Sequence, residues 1–223
     1  MQNIFMNKKI IVFFGPPGSG KGTQSDILGE KLGLPVISPG ELLRHERDMG
    51  TDLGKKVADK MAKGELVPDE LVENMLDSRL KKNDVAAGFI LDGFPRDLEQ
   101  LKFLEKKFKD ILGEDGAATA IYIDVSDAEV KSRIGGRRVC DCGAAYHLAH
   151  KPPVKEGICD LCGADIYIRE DDKPEVVADR LEGFRQKIGP ILENFKKDGK
   201  LIKINGEQDI NKITEEILLY FKV

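Results

Sequence analysis

Long apolar runs are missing from this chain of 223 residues: the most hydrophobic early stretch, Ile10 to Phe14, is five residues long. Nothing before it forms the apolar centre of a secretion signal, so neither export nor membrane spanning is expected and the reading is a cytoplasmic protein. A one-signed surface is missing as well. The 35 basic and 39 acidic residues leave a formal charge of −4 with the signs interspersed, which excludes the basic stripe of a nucleic-acid binder. Phosphate chemistry, if present, must rest on locally placed cations. Tryptophan is absent, yet 41% hydrophobic residues suffice for one well-buried core in a chain of this length. Cysteine is absent outside one short window, Cys140 to Cys162, whereas a disulfide framework would spread its cysteines through a small secreted chain. That clustering suggests a metal before a disulfide.

Short apolar strands alternate with helical patterns along the rest of the chain. Lys8 to Phe14 reads as a buried parallel strand, and further strands are expected at Pro35–Ile37, Gly88–Leu91, Thr119–Ile123 and Leu201–Ile204. Between them lie a helix to about Leu32, helical stretches from Gly40, Thr51 and Pro68, and a helix from Asp97 to about Leu112. Ser126 with Glu129 three residues on reads as a capping box. An apolar stripe of Val177, Leu181, Phe184, Ile188, Ile191, Leu192 and Phe195 marks a long amphipathic helix, and Ile210, Ile213, Ile217 and Leu218 mark a last one. From Gly135 to about Asp172 the composition turns to Gly, Pro, Cys and polar residues, too poor in aliphatics for a core of its own. The expectation is an α/β protein with a five-stranded parallel sheet covered on both faces, interrupted by inserted segments. Such sheets bind ligands beyond the carboxyl ends of their strands.

The first strand runs straight into Gly15-Pro16-Pro17-Gly18-Ser19-Gly20-Lys21-Gly22-Thr23, a GxxxxGK loop in the strand-to-helix setting that phosphate binding requires. Glycines let backbone N–H groups curl around phosphate oxygens, the helix start adds positive potential, and Lys21 reaches the outer phosphates. Gly22 stands where most such loops carry the magnesium-binding Ser or Thr, which argues against direct hydroxyl ligation of magnesium there. The strand Phe89-Ile90-Leu91 ends in Asp92, where a carboxylate can hold magnesium or its waters; a simple turn-capping Asp is the equal alternative.

Asp92-Gly93-Phe94-Pro95-Arg96 followed by Gln100, together with GxPGxGKGT, resembles the signature of adenylate kinases and related nucleoside monophosphate kinases, from Lys9 to nearly the end of the chain. The resemblance implies a P-loop kinase core (1–37, 68–135, 173–223) with a helical acceptor-binding segment (38–67) and a long lid (136–172). It implies magnesium-dependent phosphoryl transfer from ATP to AMP giving two ADP, by a monomer with no nucleic-acid or membrane partner. By position, Gly15, Gly18, Ser19, Gly20, Lys21, Gly22 and Thr23 would cradle ATP, with Arg133 against its adenine and Arg137, Tyr146 and Gln208 as further contacts. Arg44, Arg96 and Gly93 would hold AMP, Glu65, Leu66 and Val67 (after Gly64) would flank its base, and Gln100 would read the adenine. Arg137, Arg169 and Arg180 would close on the phosphates, with Arg138 as a helper, and Lys21, Asp92 and Arg96 would complete the catalytic set. A loose phosphoryl transition state needs only such positioning and charge, with no covalent nucleophile. Pro39 departs from the family's threonine; Ser38 to Glu41 still reads as a capping box with proline at the first helical position.

Cys140-Asp141-Cys142 and Cys159-Asp160-Leu161-Cys162 approach a four-cysteine zinc pattern, although the first knuckle is one residue short. Zinc–sulfur bonds of ~2.3 Å require sulfurs roughly 3.8 Å apart, within reach of CxC after adjustment. His147 is a fallback ligand, and a structural Zn2+ is expected beside the Mg2+ that travels with ATP. Another monophosphate kinase of this fold is the competing reading. A P-loop regulatory ATPase or zinc-ribbon nucleic-acid binder competes from a different class, but lacks a basic face and leaves Asp92 to Arg96 unexplained.

Overall fold

The computed structural model describes residues 9–63, 65–113 and 118–221. Lys8 and Gly64, named above in a strand and in the base-flanking stretch, lie outside the described residues. Five parallel strands form the central sheet: β1 (Lys9–Phe14), β2 (Val36–Ile37), β3 (Gly88–Asp92), β4 (Thr119–Asp124) and, last in the chain, β7 (Leu201–Asn205), in the order β2-β3-β1-β4-β7. Two further short strands, β5 (Arg137–Val139) and β6 (Ala145–His147), pair antiparallel outside it. The helices are α1 (Lys21–Leu32), α2 (Pro39–Asp48), α3 (Asp52–Ala62), α4 (Asp69–Leu80), α5 (Leu98–Leu112), α6 (Asp127–Gly136), α7 (Pro174–Lys197) and α8 (Ile210–Leu219).

Burial explains why the strands are unbroken apolar runs. Along β1, Ile10, Val12 and Phe14 enter one core with Leu91, Leu104, Ile191 and Phe195, while Ile11 and Phe13 enter a second with Leu28, Val130, Leu181 and Ile213. Each face of the sheet therefore carries its own helical layer. Because β1 sits between β3 and β4, its carboxyl end and that of β3 open side by side. No helix among the described residues is long and apolar enough to cross a membrane.

Helix starts depart from expectation in two places. At α6 the Ser126 hydroxyl accepts from Glu129 N (3.4 Å), but Glu129 turns to Arg133 and Ser126 N donates instead to Glu207 Oε1 (2.9 Å). Half of the capping box is thus replaced by a tertiary bond. At α2 Pro39 occupies the first helical position, yet Ser38 makes no side-chain cap bond. Glu41, the expected reciprocal partner, is drawn one turn on to the Arg44 guanidinium, because a charge-assisted pair outcompetes a neutral cap bond. The segment 136–172 has only a small cluster of its own, Cys140, Tyr146 and Cys159 with Ala144 and Ile166 packed against it.

Candidate active site

The loop after β1 is shaped by two left-handed glycines, Gly18 at φ 73° and Gly20 at φ 89°, conformations that side-chain-bearing residues rarely adopt. Gly20 begins α1 without any side-chain cap bond, so the first N–H groups of the helix are left for an anion. Gly15 admits no larger residue either, since a Cβ there would lie 2.4 Å from Ser19 Oγ and 2.9 Å from Ile123 O. Lys21 enters this loop from the first turn of α1 with Nζ 3.4 Å from Pro16 O. Burial lowers its ammonium from the ordinary 10.5 to about 8; Asp92 opposes the shift, while Arg137, Arg180 and Arg96 reinforce it.

That displacement fixes a pH dependence. Lys21 loses its proton as pH rises through about 8, so anion binding in this loop should weaken on that limb, and a flat profile of inorganic pyrophosphate affinity between pH ~7 and ~9 would contradict the charge assigned to Lys21. Stability should move the other way. Between about 8 and 10.5 the unfolded chain holds this proton more tightly than the folded one, so the Lys21 contribution to stability improves as pH rises across the window.

Asp92, at the carboxyl end of β3, faces the same space: a Cβ on Gly22 would stand 3.4 Å from its Oδ2, and its buried Oδ1 has no hydrogen-bond partner. Burial pushes the carboxyl up and Lys21 draws it back. An orphaned carboxylate oxygen opposite a lysine in a phosphate loop fits a hydrated magnesium ion, whose preferred ligands are hard oxygens. Thr23 and Gly22 lie half-buried in the first turn of α1.

Just beyond the end of β3, Gly93 N donates to Phe13 O (3.2 Å) and Arg96 Nε to Gly93 O (3.2 Å). No carboxylate among the described residues pairs with Arg96. Although its side chain reaches solvent, its packed surroundings and then the nearby Arg44 charge push the guanidinium below its ordinary value. Two arginines that repel one another across an opening make an anion site. Arg137 is forked onto the buried Asp172 (Nε to Oδ2 2.7 Å), Arg169 onto Asp171 (2.8 and 2.5 Å), and Arg180 reaches Asp171 at 2.9 Å and its carbonyl at 2.7 Å. Burial resists the charge on Asp171, but Arg180 and Arg169 hold it well below the usual carboxylate range. Burial first, then the crowd of Arg169, Arg137 and Arg96, brings Arg180 to about 10. Glu41 spans Arg44 and Arg169, the latter at 4.0 Å. Six cations (Lys21, Arg44, Arg96, Arg137, Arg169, Arg180) thus face four carboxylates (Glu41, Asp92, Asp171, Asp172), leaving an excess positive charge suited to polyphosphate.

The remaining expected residues divide. Arg133 lies over the loop, with Nη1 3.4 Å from Ser19 O and Nε on Glu129. Arg138 is turned away, bonding the carbonyls of Gly135 and Arg137. Tyr146, read as a nucleotide contact, is buried in the lid: its hydroxyl accepts from Asp160 N (2.7 Å) and lies 3.3 Å from Cys159 Sγ. Gln208 donates to Asn205 O and Glu216. Val67 is buried, Leu66 half-buried, and Glu65 pairs with Lys60 (3.4 Å). Pro39 is buried at the first position of α2. Gln100 is buried, with both ends of its amide already engaged. Sequence reasoning passed over Glu41 as a pivot and Asp171 and Asp172 as arginine holders; the acid run directly after Arg169 was the available signal.

The four cysteines converge, their sulfurs all within 4.8 Å of one another, with Cys140–Cys162 at 3.4 Å and Cys142–Cys159 at 3.5 Å. Those spacings bracket the roughly 3.8 Å of a tetrahedral thiolate site, and all four cysteines are free. Each pair is carried by a tight turn, Gly143 N to Cys140 O (3.0 Å) and Gly163 N to Cys159 O (2.9 Å), which is how the short CxC knuckle closes. The Tyr146 hydroxyl chiefly, against burial, draws the Cys159 thiol down to about 6. His147 does not join them: its Nδ1 accepts from Ala149 N and His150 N.

A glycine loop on β1, a carboxylate on β3 and arginines converging from α2, α7 and the lid define a P-loop phosphotransferase acting between nucleotides. The chain matches the family model described as adenylate kinase over residues 13–200. It is 44% identical over 209 residues to the adenylate kinase of Caldicellulosiruptor saccharolyticus, covering 93% of this chain and 96% of that protein. It is 44% identical over 208 residues to that of Archaeoglobus fulgidus (93% and 95%), and 40% identical over 212 residues to that of Methanosarcina barkeri (95% and 98%). The chain belongs to the adenylate kinase family.

Proposed function

We propose that the chain carries out its family's reaction, magnesium-dependent phosphoryl transfer from ATP to AMP giving two ADP, with donor and acceptor phosphates meeting over Lys21. The observation that supports this most directly is the opening of β1 and β3 side by side, with the Lys21 loop on one and Asp92 to Arg96 on the other. Arg44 and Arg96 hold the acceptor phosphate. Lys21, Arg137, Arg169 and Arg180 neutralise the charge that spreads over the transferred group, and closure of 38–67 and 136–172 excludes water. Asp171, Asp172 and Glu41 keep the arginines extended until phosphate replaces them. Gln100 faces the acceptor base beside Glu65, Leu66 and Val67, Arg133 packs on the donor base, and Asp92 would hold a hydrated magnesium ion, which would supply positive charge to the phosphates. Zinc on Cys140, Cys142, Cys159 and Cys162 organises the lid. The same reading has the chain act as a cytoplasmic monomer.

Arg96→Ala tests the division of labour. Loss of a charge-assisted bond to phosphate costs about 2–3 kcal/mol, so kcat/KM for AMP should fall roughly 30- to 160-fold. ATP affinity, measured by titration without acceptor, should stay within about threefold. Equal weakening of both nucleotides would sink the assignment.

A further inference from the structure

The Gln100 amide is held in one of its two possible orientations. Nε2 donates to Asp69 Oδ1 at 2.6 Å, and Oε1 accepts from Arg96 N at 2.8 Å. An ionised carboxylate only accepts and a backbone N–H only donates, so a flipped amide would set oxygen against oxygen and NH2 against N–H. Gln100 is 2% exposed, and water could not repair the two lost bonds. The backbone is fixed as well, since Gln100 N donates to Asp97 Oδ1 (3.1 Å) at the start of α5. Asp69 comes from elsewhere, the first residue of α4, two positions beyond Val67.

A planar amide with one N–H and one lone pair occupied keeps one of each. What remains is one donor and one acceptor in fixed order. Adenine presents an acceptor at N1 and a donor at its 6-amino group, whereas guanine presents a donor at N1 and an acceptor at O6, the reverse order. An amide free to turn over would read either edge. We propose that Asp69 is a specificity-determining positioning residue: with Arg96 N–H, it locks Gln100 in the orientation that accepts an adenine and refuses a guanine in the acceptor site. The proposal rests on the reading that Gln100 faces the acceptor base.

The test is the ratio of kcat/KM for AMP to that for GMP in the full-length enzyme at saturating ATP. Asp69→Ala removes the lock and should lower the ratio by at least about tenfold, while Asp69→Asn, which keeps an acceptor of the same reach, should hold it within about threefold. A loss of stability would depress both acceptors together and leave the ratio alone. An Asp69→Ala ratio equal to wild type, alongside a collapsed ratio in Gln100→Ala, overturns the lock. A Gln100→Ala ratio equal to wild type overturns the base-facing reading itself, and the proposal with it.

Discussion

Lys21→Met should lose at least about two to three orders of magnitude in kcat, some 3–4 kcal/mol, and should melt no lower than the wild-type protein. Both halves follow from where the ammonium sits. It is half-buried in packed surroundings, its hold on its proton falls to about 8, and the arginines around it raise the cost of the charge further. Methionine fills a similar volume without that cost, so the folded state is relieved. In the proposed transition state the same charge is aimed at oxygens that become more negative, and nothing nearby replaces it: Arg137, Arg169 and Arg180, held by Asp171 and Asp172 before nucleotide binds, have phosphate oxygens of their own to neutralise. Steady-state turnover and a melting curve on one preparation decide the matter. Near-normal turnover would remove Lys21 from the phosphate site, and a large fall in melting temperature would make its role structural.

What the sequence made legible follows from how local each signal is. β1, β3 and β4 are buried on both faces, so their apolar runs announce themselves, and the proposed functional groups Lys21, Asp92 and Arg96 stand at or just beyond the ends of those runs. The lid hairpin gave no such sign, because Arg137–Val139 and Ala145–His147 are three-residue strands without an apolar face to alternate. Partners chosen by tertiary packing were hidden too. Asp69 and Gln100 lie 31 residues apart, and only the meeting of α4 with α5 brings carboxylate to amide. The cysteine cluster lies between these cases. Its spacing pointed to a metal, but closure of the short knuckle depends on the turn from Cys140 to Gly143. Tyr146, expected from its position as a nucleotide contact, has its hydroxyl engaged inside the lid by Asp160 N and Cys159 Sγ, partners that its sequence position does not announce.

Replacing Cys159 and Cys162 together with serine should abolish stoichiometric zinc and lower the melting temperature by about 10 °C, yet leave phosphoryl transfer measurable at moderate temperature. Lid stability has few other sources. Its own apolar cluster consists of Cys140, Tyr146 and Cys159 with Ala144 and Ile166, and two of those side chains are themselves proposed metal ligands. Val154 and Leu161 are almost wholly exposed there, so they bury little to compensate. The double replacement removes two of the four candidate ligands and, in Cys159, one of the five side chains of that cluster. Catalysis should separate from this loss, because Lys21, Asp92 and Arg96 are carried by β1, β3 and their loops, whose two cores do not include the lid. Some damage should still pass through Val139, which pairs with Tyr167 and ties the knuckle to the strand bearing Arg137. The expected result is therefore a reduced but real turnover, falling steeply as the lid melts. Elemental analysis, a melting curve with and without chelator, and turnover across a temperature series test each part. A wild-type protein free of transition metal and indifferent to chelation would return the four cysteines to packed thiols, and complete loss of turnover at low temperature in the serine variant would make the metal a participant in catalysis.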